Sequence, residues 1–149
     1  MENKVKIFLL DTGVLGDLCH PEIKVAKPKI DLLADRIERK EIDVFLPEVT
    51  DYELRRKFLH LAMQSHQQTS RRLKRLDRLK GIFDYLPVTT EDWHKAAEIW
   101  AKARFRGERT AGDNSIDADV ILAAHSQTYS PTNRYPIVES GSRHSTTRF

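Results

Sequence analysis

The sequence predicts an α/β domain with a short, mostly parallel sheet, on three observations. Short apolar runs of strand length, "VKIFLL" (5–10), "DVFLP" (43–47) and "FDYLPV" (83–88), alternate with longer segments of helical period, and such alternation marks a parallel sheet with helical crossovers. The first run is continuous, as expected of a strand buried on both faces of such a sheet. At 149 residues the chain is long enough for one domain with a single sizeable core.

Each segment follows from its pattern. After "VKIFLL", Ile30, Leu33, Ala34 and Ile37 fall at i, i+3, i+4 and i+7, an amphipathic helix placed after Pro28. Beyond the second run, a helix from about Thr50 carries Leu54, Phe58, Leu61 and Ala62 at helical spacing, and the polar "QSHQQTSRR" (64–72) loosens it. Leu73, Leu76 and Leu79 then form a thin apolar stripe on a basic helix ending near Gly81. Past the third run, Thr90-Glu91-Asp92 opens a helix expected to bury Trp93, Ala96, Ala97, Trp100 and Ala101 on one face. "RGERTAGDNS" (106–115) reads as a loop, "DADVILAAHSQTY" (117–129) as a compact helix and "PIV" (136–138) as a last short strand.

Composition narrows the class. An apolar fraction of 40%, with 8% aromatic and 32% charged residues, suits a globular protein. One cysteine, Cys19, excludes an internal disulfide framework and fits a reducing compartment. No apolar run approaches the roughly 18 residues of a membrane span, and the N-terminus runs straight into a strand, which leaves no room for a signal peptide. The expected location is the cytoplasm, with no membrane partner.

The candidate chemistry lies in carboxylates. Asp11 ends the first strand, at the sheet edge where ligands of open parallel sheets sit. It serves there either as the N-cap of the next helix or as a ligand. Its triplet Asp11-Thr12-Gly13 also matches the loop of aspartic proteases, but those are predominantly β and this chain has no second Asp-Thr/Ser-Gly. Glu53 flanks the apolar stripe one turn into the helix after the second strand, whereas Glu48 and Asp51 suit a helix start through its dipole. Asp119 shares a stripe with Leu122 and Ala123, which turns it inward, and Asp117 is placed to cap its helix. Three acids from three strand-to-helix junctions repel one another unless a cation neutralises them, and all-oxygen sites suit Mg²⁺ or Mn²⁺. Magnesium on a few carboxylates is the usual equipment for phosphodiester hydrolysis.

On these motifs the chain resembles the PIN-domain family, particularly the VapC-type ribonuclease toxins of prokaryotic toxin–antitoxin pairs. "FLLDTGVLGDL" resembles the family's strand ending in its first Asp. "PEVTDYELRR" resembles its Thr-x-x-Glu-Leu element carrying Glu53, and "DADVILAA" its Asp-x-x-Ile-Ala-Ala helix carrying Asp119. The resemblance spans residues 5–138. It implies a three-layer α/β/α sandwich, Mg²⁺ or Mn²⁺, endoribonuclease activity on RNA, frequent homodimers and a cognate antitoxin. Asp11, Glu53 and Asp119 would be the catalytic metal ligands, with Asp117 as helper. The nuclease domain is then 1–138. The polar tail 139–149, "ESGSRHSTTRF", departs from the family in having no Asp and only Glu139 as an acid, and with so little apolar area it is expected to be mobile. The alternative function is a PIN-fold RNA-binding module with impaired catalysis.

Two basic patches suit RNA. "RRLKRLDRLK" (71–80) holds six basic side chains against one acid, in a chain of net charge only +3. Arg71, Arg72, Lys74 and Arg75, flanked by Arg55, Arg56 and Lys57, track a phosphate backbone or form a solvated face. Arg104, Arg106 and Arg109 make the second patch. Trp93 and Trp100 fit core packing better than base stacking. The six histidines show no metal spacing. His125 reads as a packed polar residue and Cys19 as helix-end packing.

Overall fold

A computed structural model describes residues 5–64, 68–108 and 117–129. In chain order the elements are β1 (Lys6–Leu9), α1 (Thr12–Leu18), α2 (Ile23–Glu38), β2 (Ile42–Pro47), α3 (Glu48–Met63), α4 (Gln68–Leu79), β3 (Asp84–Leu86), α5 (Thr90–Phe105) and α6 (Ala118–Thr128). The strands form one parallel sheet in the order β1-β2-β3, with Lys6 opposite Ile42, Leu9 opposite Phe45 and Pro47 opposite Leu86. Their carboxyl ends therefore share one edge, and α1 and α3 leave from it.

β2 is central, and its alternation makes the layers. Ile42, Val44 and Leu46 pack into a cluster with Leu15 and Leu18 of α1, Leu54 and Phe58 of α3, and Leu76 and Leu79 of α4. Phe45 points the other way and meets the Tyr129 ring at the end of α6, with centroids 4.8 Å apart. A second cluster joins Val49 of α3 with Ala96 of α5 and Val120, Ile121 and Ala124 of α6. Helices thus cover both faces of the sheet, the expected α/β/α arrangement.

Three local expectations change. β1 is not buried on both faces: Lys6, Ile7 and Phe8 are exposed, because among the described residues β2 alone pairs with it. The expected last strand 136–138, the tail 139–149 and most of the loop before Asp117 lie outside the described residues, so β1's other edge is not described. α2 begins at Ile23 and runs through Pro28. A proline there removes the partner of the Lys24 carbonyl, which matters little where Lys24 is exposed to water. α5 buries Ala96 and half-buries Trp100, while Trp93, Ala97 and Ala101 face solvent. The apolar arc of that helix is wider than the surface α6 offers it.

Local chemistry fixes the helix ends. Thr89 caps α5 with a reciprocal pair: Thr89 Oγ1 accepts from Asp92 N at 3.1 Å, and Thr89 N donates to Asp92 Oδ2 at 2.8 Å. Gly107 closes α5 at φ 78°, a left-handed turn that glycine enters without strain.

Candidate functional site

The carboxyl edge of the sheet gathers the starts of three helices. Asp11 ends β1 and caps α1, its Oδ1 accepting from Val14 N at 2.8 Å. Both the capping role and the sheet-edge placement read from the sequence therefore hold for one exposed side chain. α1 runs beside α3: a methyl group built on Gly16 would stand 3.8 Å from Leu54 Cδ2. That contact is next to Glu53, which is half-buried with Oε1 3.9 Å from Arg56 Nη2. The first turn of α6 packs into the cluster that holds Val49 of α3.

Asp119 is exposed, not inward. The buried stripe of α6 runs through Asp117, Val120, Ile121, Ala124 and His125, one step away from the stripe read through Leu122 and Ala123. The reason is tertiary, because α6 presents Val120, Ile121 and Ala124 to α3 and α5. Asp117 caps the helix as expected, its Oδ1 accepting from Asp119 N at 3.1 Å and Val120 N at 3.3 Å. Among the described residues no three His, Cys, Asp or Glu side chains are grouped so as to hold one metal ion. The carboxylates of Asp11, Glu53 and Asp119 are hard oxygen donors, the type that Mg²⁺ or Mn²⁺ takes.

The basic helix divides in two. Arg71 and Lys74 are exposed. Arg72 lies over the Phe58 ring, 5.8 Å from its centroid, and Arg75 Nη1 donates to the His20 carbonyl. Those two hold α4 to α1 and α3. In the second patch Arg104 stacks on Trp100 at 4.9 Å, while Arg106 is exposed at the end of α5. Arg109 lies outside the described residues.

A buried polar centre escaped the sequence reading. Asp51, read from the sequence as an acid suited to a helix start, is only 4% exposed. It accepts from Arg55 Nη2 at 3.0 Å and Tyr85 Oη at 3.1 Å, and Lys80 Nζ stands 2.7 Å away. Arg55 also reaches Asp77 at 2.7 Å. Burial, then the Asp51 charge, push the Tyr85 phenol far above its usual range, so it remains a donor. The i, i+4 spacing of Asp51 and Arg55 was readable, but Tyr85 and Lys80 arrive only through the fold. Glu48, the other acid at this helix start, accepts from Val88 N at 2.7 Å and so ties the β3–α5 connection to α3.

His125 is packed, as its sequence position suggests. Its Nε2 lies 3.1 Å from Asp92 Oδ2 without the alignment of a hydrogen bond. Burial lowers its pKa, against the opposing pull of Asp92. Burial works against the Asp92 charge too, but hydrogen bonds from Thr128 and Thr89 outweigh it and hold that carboxyl below its ordinary value. Cys19 ends α1 and is buried, and burial pushes its thiol up to about 12, against Arg75 and Arg72. It is inert packing.

Comparison with known proteins agrees with this architecture. The chain is similar to a chain in the crystal structure of VapBC2 from Rickettsia felis bound to a DNA fragment from their promoter, with a TM-score of 0.57 and 14% identity, over 80% of this chain and 79% of that one. At that identity the likeness is one of fold. No curated protein matches the chain. The PIN domain model matches residues 8–130, and the chain belongs to the PIN domain family.

Proposed function

We propose that this chain is a divalent-metal-dependent endoribonuclease and the toxin of a toxin–antitoxin pair. One observation carries the reading: the chain is a PIN domain in which Asp11 ends β1 and caps α1, Glu53 lies in the second turn of α3, and Asp117 and Asp119 open α6. Asp11, Glu53 and Asp119, with Asp117 as helper, would hold Mg²⁺ or Mn²⁺. The bound ion supplies an activated water and stabilises charge on the phosphate under in-line attack. The chain's own residues do the rest. Asp11 commits Oδ1 to Val14 N, which fixes the carboxylate and leaves Oδ2 for a cation. Arg71 and Lys74 offer exposed charge to an RNA backbone, and Arg106 adds to it from the end of α5.

A cognate antitoxin is the proposed protein partner, supported by the VapBC2 complex among structures of similar fold. The cytoplasm is the proposed location. No helix among the described residues is long and apolar enough to cross a membrane. A second reading, an RNA-binding module with impaired catalysis, is favoured by the outward turn of Asp119. Cleavage of single-stranded RNA with added Mn²⁺ or Mg²⁺, blocked by chelator, separates the two. RNA retention without cleavage in either metal would establish the second reading.

A further inference from the structure

The last turn of α5 sets an aromatic ring among cations. Residues 102–109 read "KARFRGER", four basic side chains and one acid around a phenylalanine. Phe105 is 94% exposed, Arg106 is exposed beside it, and the Arg104 guanidinium lies on the Trp100 ring. Cations at a helix C-terminus answer its dipole, but the dipole gives no reason for a bare phenyl ring. The helix end is also fixed. Gly107 N donates to the Arg104 carbonyl at 3.0 Å and Glu108 N to the Ala103 carbonyl at 2.9 Å, which closes the last turn twice. The ring therefore stands on ordered backbone, and little freedom is lost when a ligand meets it.

We propose that Phe105 is a stacking platform for an unpaired base of the RNA strand, with Arg106 on the phosphates that flank it. The inference rests on the nuclease reading for its ligand and adds the place and mode of contact. Stacking takes an exposed π-face with cations nearby to hold the backbone, and it accepts any base. A base within a duplex is already stacked on both sides, so the platform favours single strands.

Packing puts the ring at the end of the molecule where α6 begins. Asp92, in the first turn of α5, meets His125 and Thr128 at the end of α6. Trp100, about two turns further along α5, packs against the same cluster as Ala118 at the start of α6. The two helices hence run antiparallel, and α5 finishes at the end where Asp117 and Asp119 open α6. A strand held by those acids has the ring at the same end of the helix pair. Trp93 is a second exposed ring, at the opposite end of α5, but Glu91 and Asp92 occupy its turn. Phosphates would meet carboxylates there, so charge assigns the strand to Phe105.

Binding of a fluorescent single-stranded RNA to the full chain in chelator, where nothing is cut, tests the platform. Phe105→Ala should weaken binding by about 5- to 100-fold, the range for one lost base stack. The slope of log affinity against log salt should stay the same, because no charge is removed. The thermal melt should not move, since the ring is exposed. Phe105→Trp should bind as the wild type does, and Trp93→Ala should keep wild-type affinity. Arg106→Ala should differ in kind, flattening the salt slope by about 0.7. Duplex RNA should bind the wild type and Phe105→Ala alike. No binding by the wild type, or a loss in Trp93→Ala as large as in Phe105→Ala, would overturn the proposal. So would an equal loss on the duplex, or equal affinity of the wild type and Phe105→Ala for the single strand, which would leave the ring to a protein partner. Cleavage by the wild type with added Mn²⁺ is scored separately, so the nuclease reading and the platform can fail independently.

Discussion

Asp11 accepts a hydrogen bond from Val14 N at 2.8 Å and so caps α1, while it stands at the sheet edge where a cation would meet it. The two roles can be separated because asparagine caps helices about as well as aspartate. Asp11→Asn is expected to abolish metal-dependent cleavage with the melting temperature moved by no more than about 1 °C. Asp11→Ala should lose cleavage and also about 1 kcal/mol of stability, roughly 2–4 °C, since the Val14 amide loses its partner. Equal cleavage by wild type and Asp11→Asn would remove this residue from the metal set. Asp117 shares the capping role but is buried, so the same pair of substitutions there would be harder to interpret.

α4 combines a structural face and an exposed one on a single basic helix. Leu76 and Leu79 are buried against β2 and α3, Arg72 covers Phe58, and Arg75 ties the helix to the end of α1. What remains exposed at the helix start is Arg71 and Lys74. Replacing both with alanine should leave the melt unchanged and flatten the slope of log RNA affinity against log salt, by about 0.7 for each phosphate no longer neutralised. Arg75→Ala should do the reverse, lowering the melting temperature through the unpartnered His20 carbonyl while the salt slope changes little. If Arg75→Ala flattens the slope as much as the double variant, the division of the helix is wrong.

The two hydrophobic clusters put helices on both faces of the sheet, and α6 is held to α5 through Asp92 and His125 as well as through apolar contact. Facing His125 are the carboxylates of Asp92 and Glu48 and the Pro87 carbonyl. Burial still prevails and lowers the histidine pKa below 6.5 in the folded chain. The unfolded chain therefore binds the proton more readily, and stability falls as pH drops below 6.5 toward the folded value. Thermal melts between pH 7 and pH 5 should show this loss, and His125→Gln should flatten it. An unaltered pH dependence in that variant would show that the imidazole stays neutral in both states, or is equally charged in both.

The alternation of strand-length apolar runs with helical period was enough to place the three described strands and α3, α5 and α6 to within a few residues, because backbone periodicity is a local property. By contrast, α2 and α4 begin several residues before the stripes that marked them, and α1 was legible only as the helix after Asp11. The cap at Asp117 and the packed His125 were local readings too, and so was Asp11 at the end of its strand. Facing was not local. Which arc of an amphipathic helix is buried depends on the width of its neighbour, so Asp119 turned out and Asp117 in, and Trp93 was left in solvent although its spacing suited a core. Asp51 could be paired with Arg55 from spacing alone, but Tyr85 and Lys80 come from elements brought together only when β3 aligns beside β2. Charge counts along the chain could not separate Arg75, bonded to the His20 carbonyl, from Arg71, which is exposed. A sequence sets which side chains an element carries, whereas the partner surface decides which of them meet water, and a carboxylate or guanidinium changes its role with that choice.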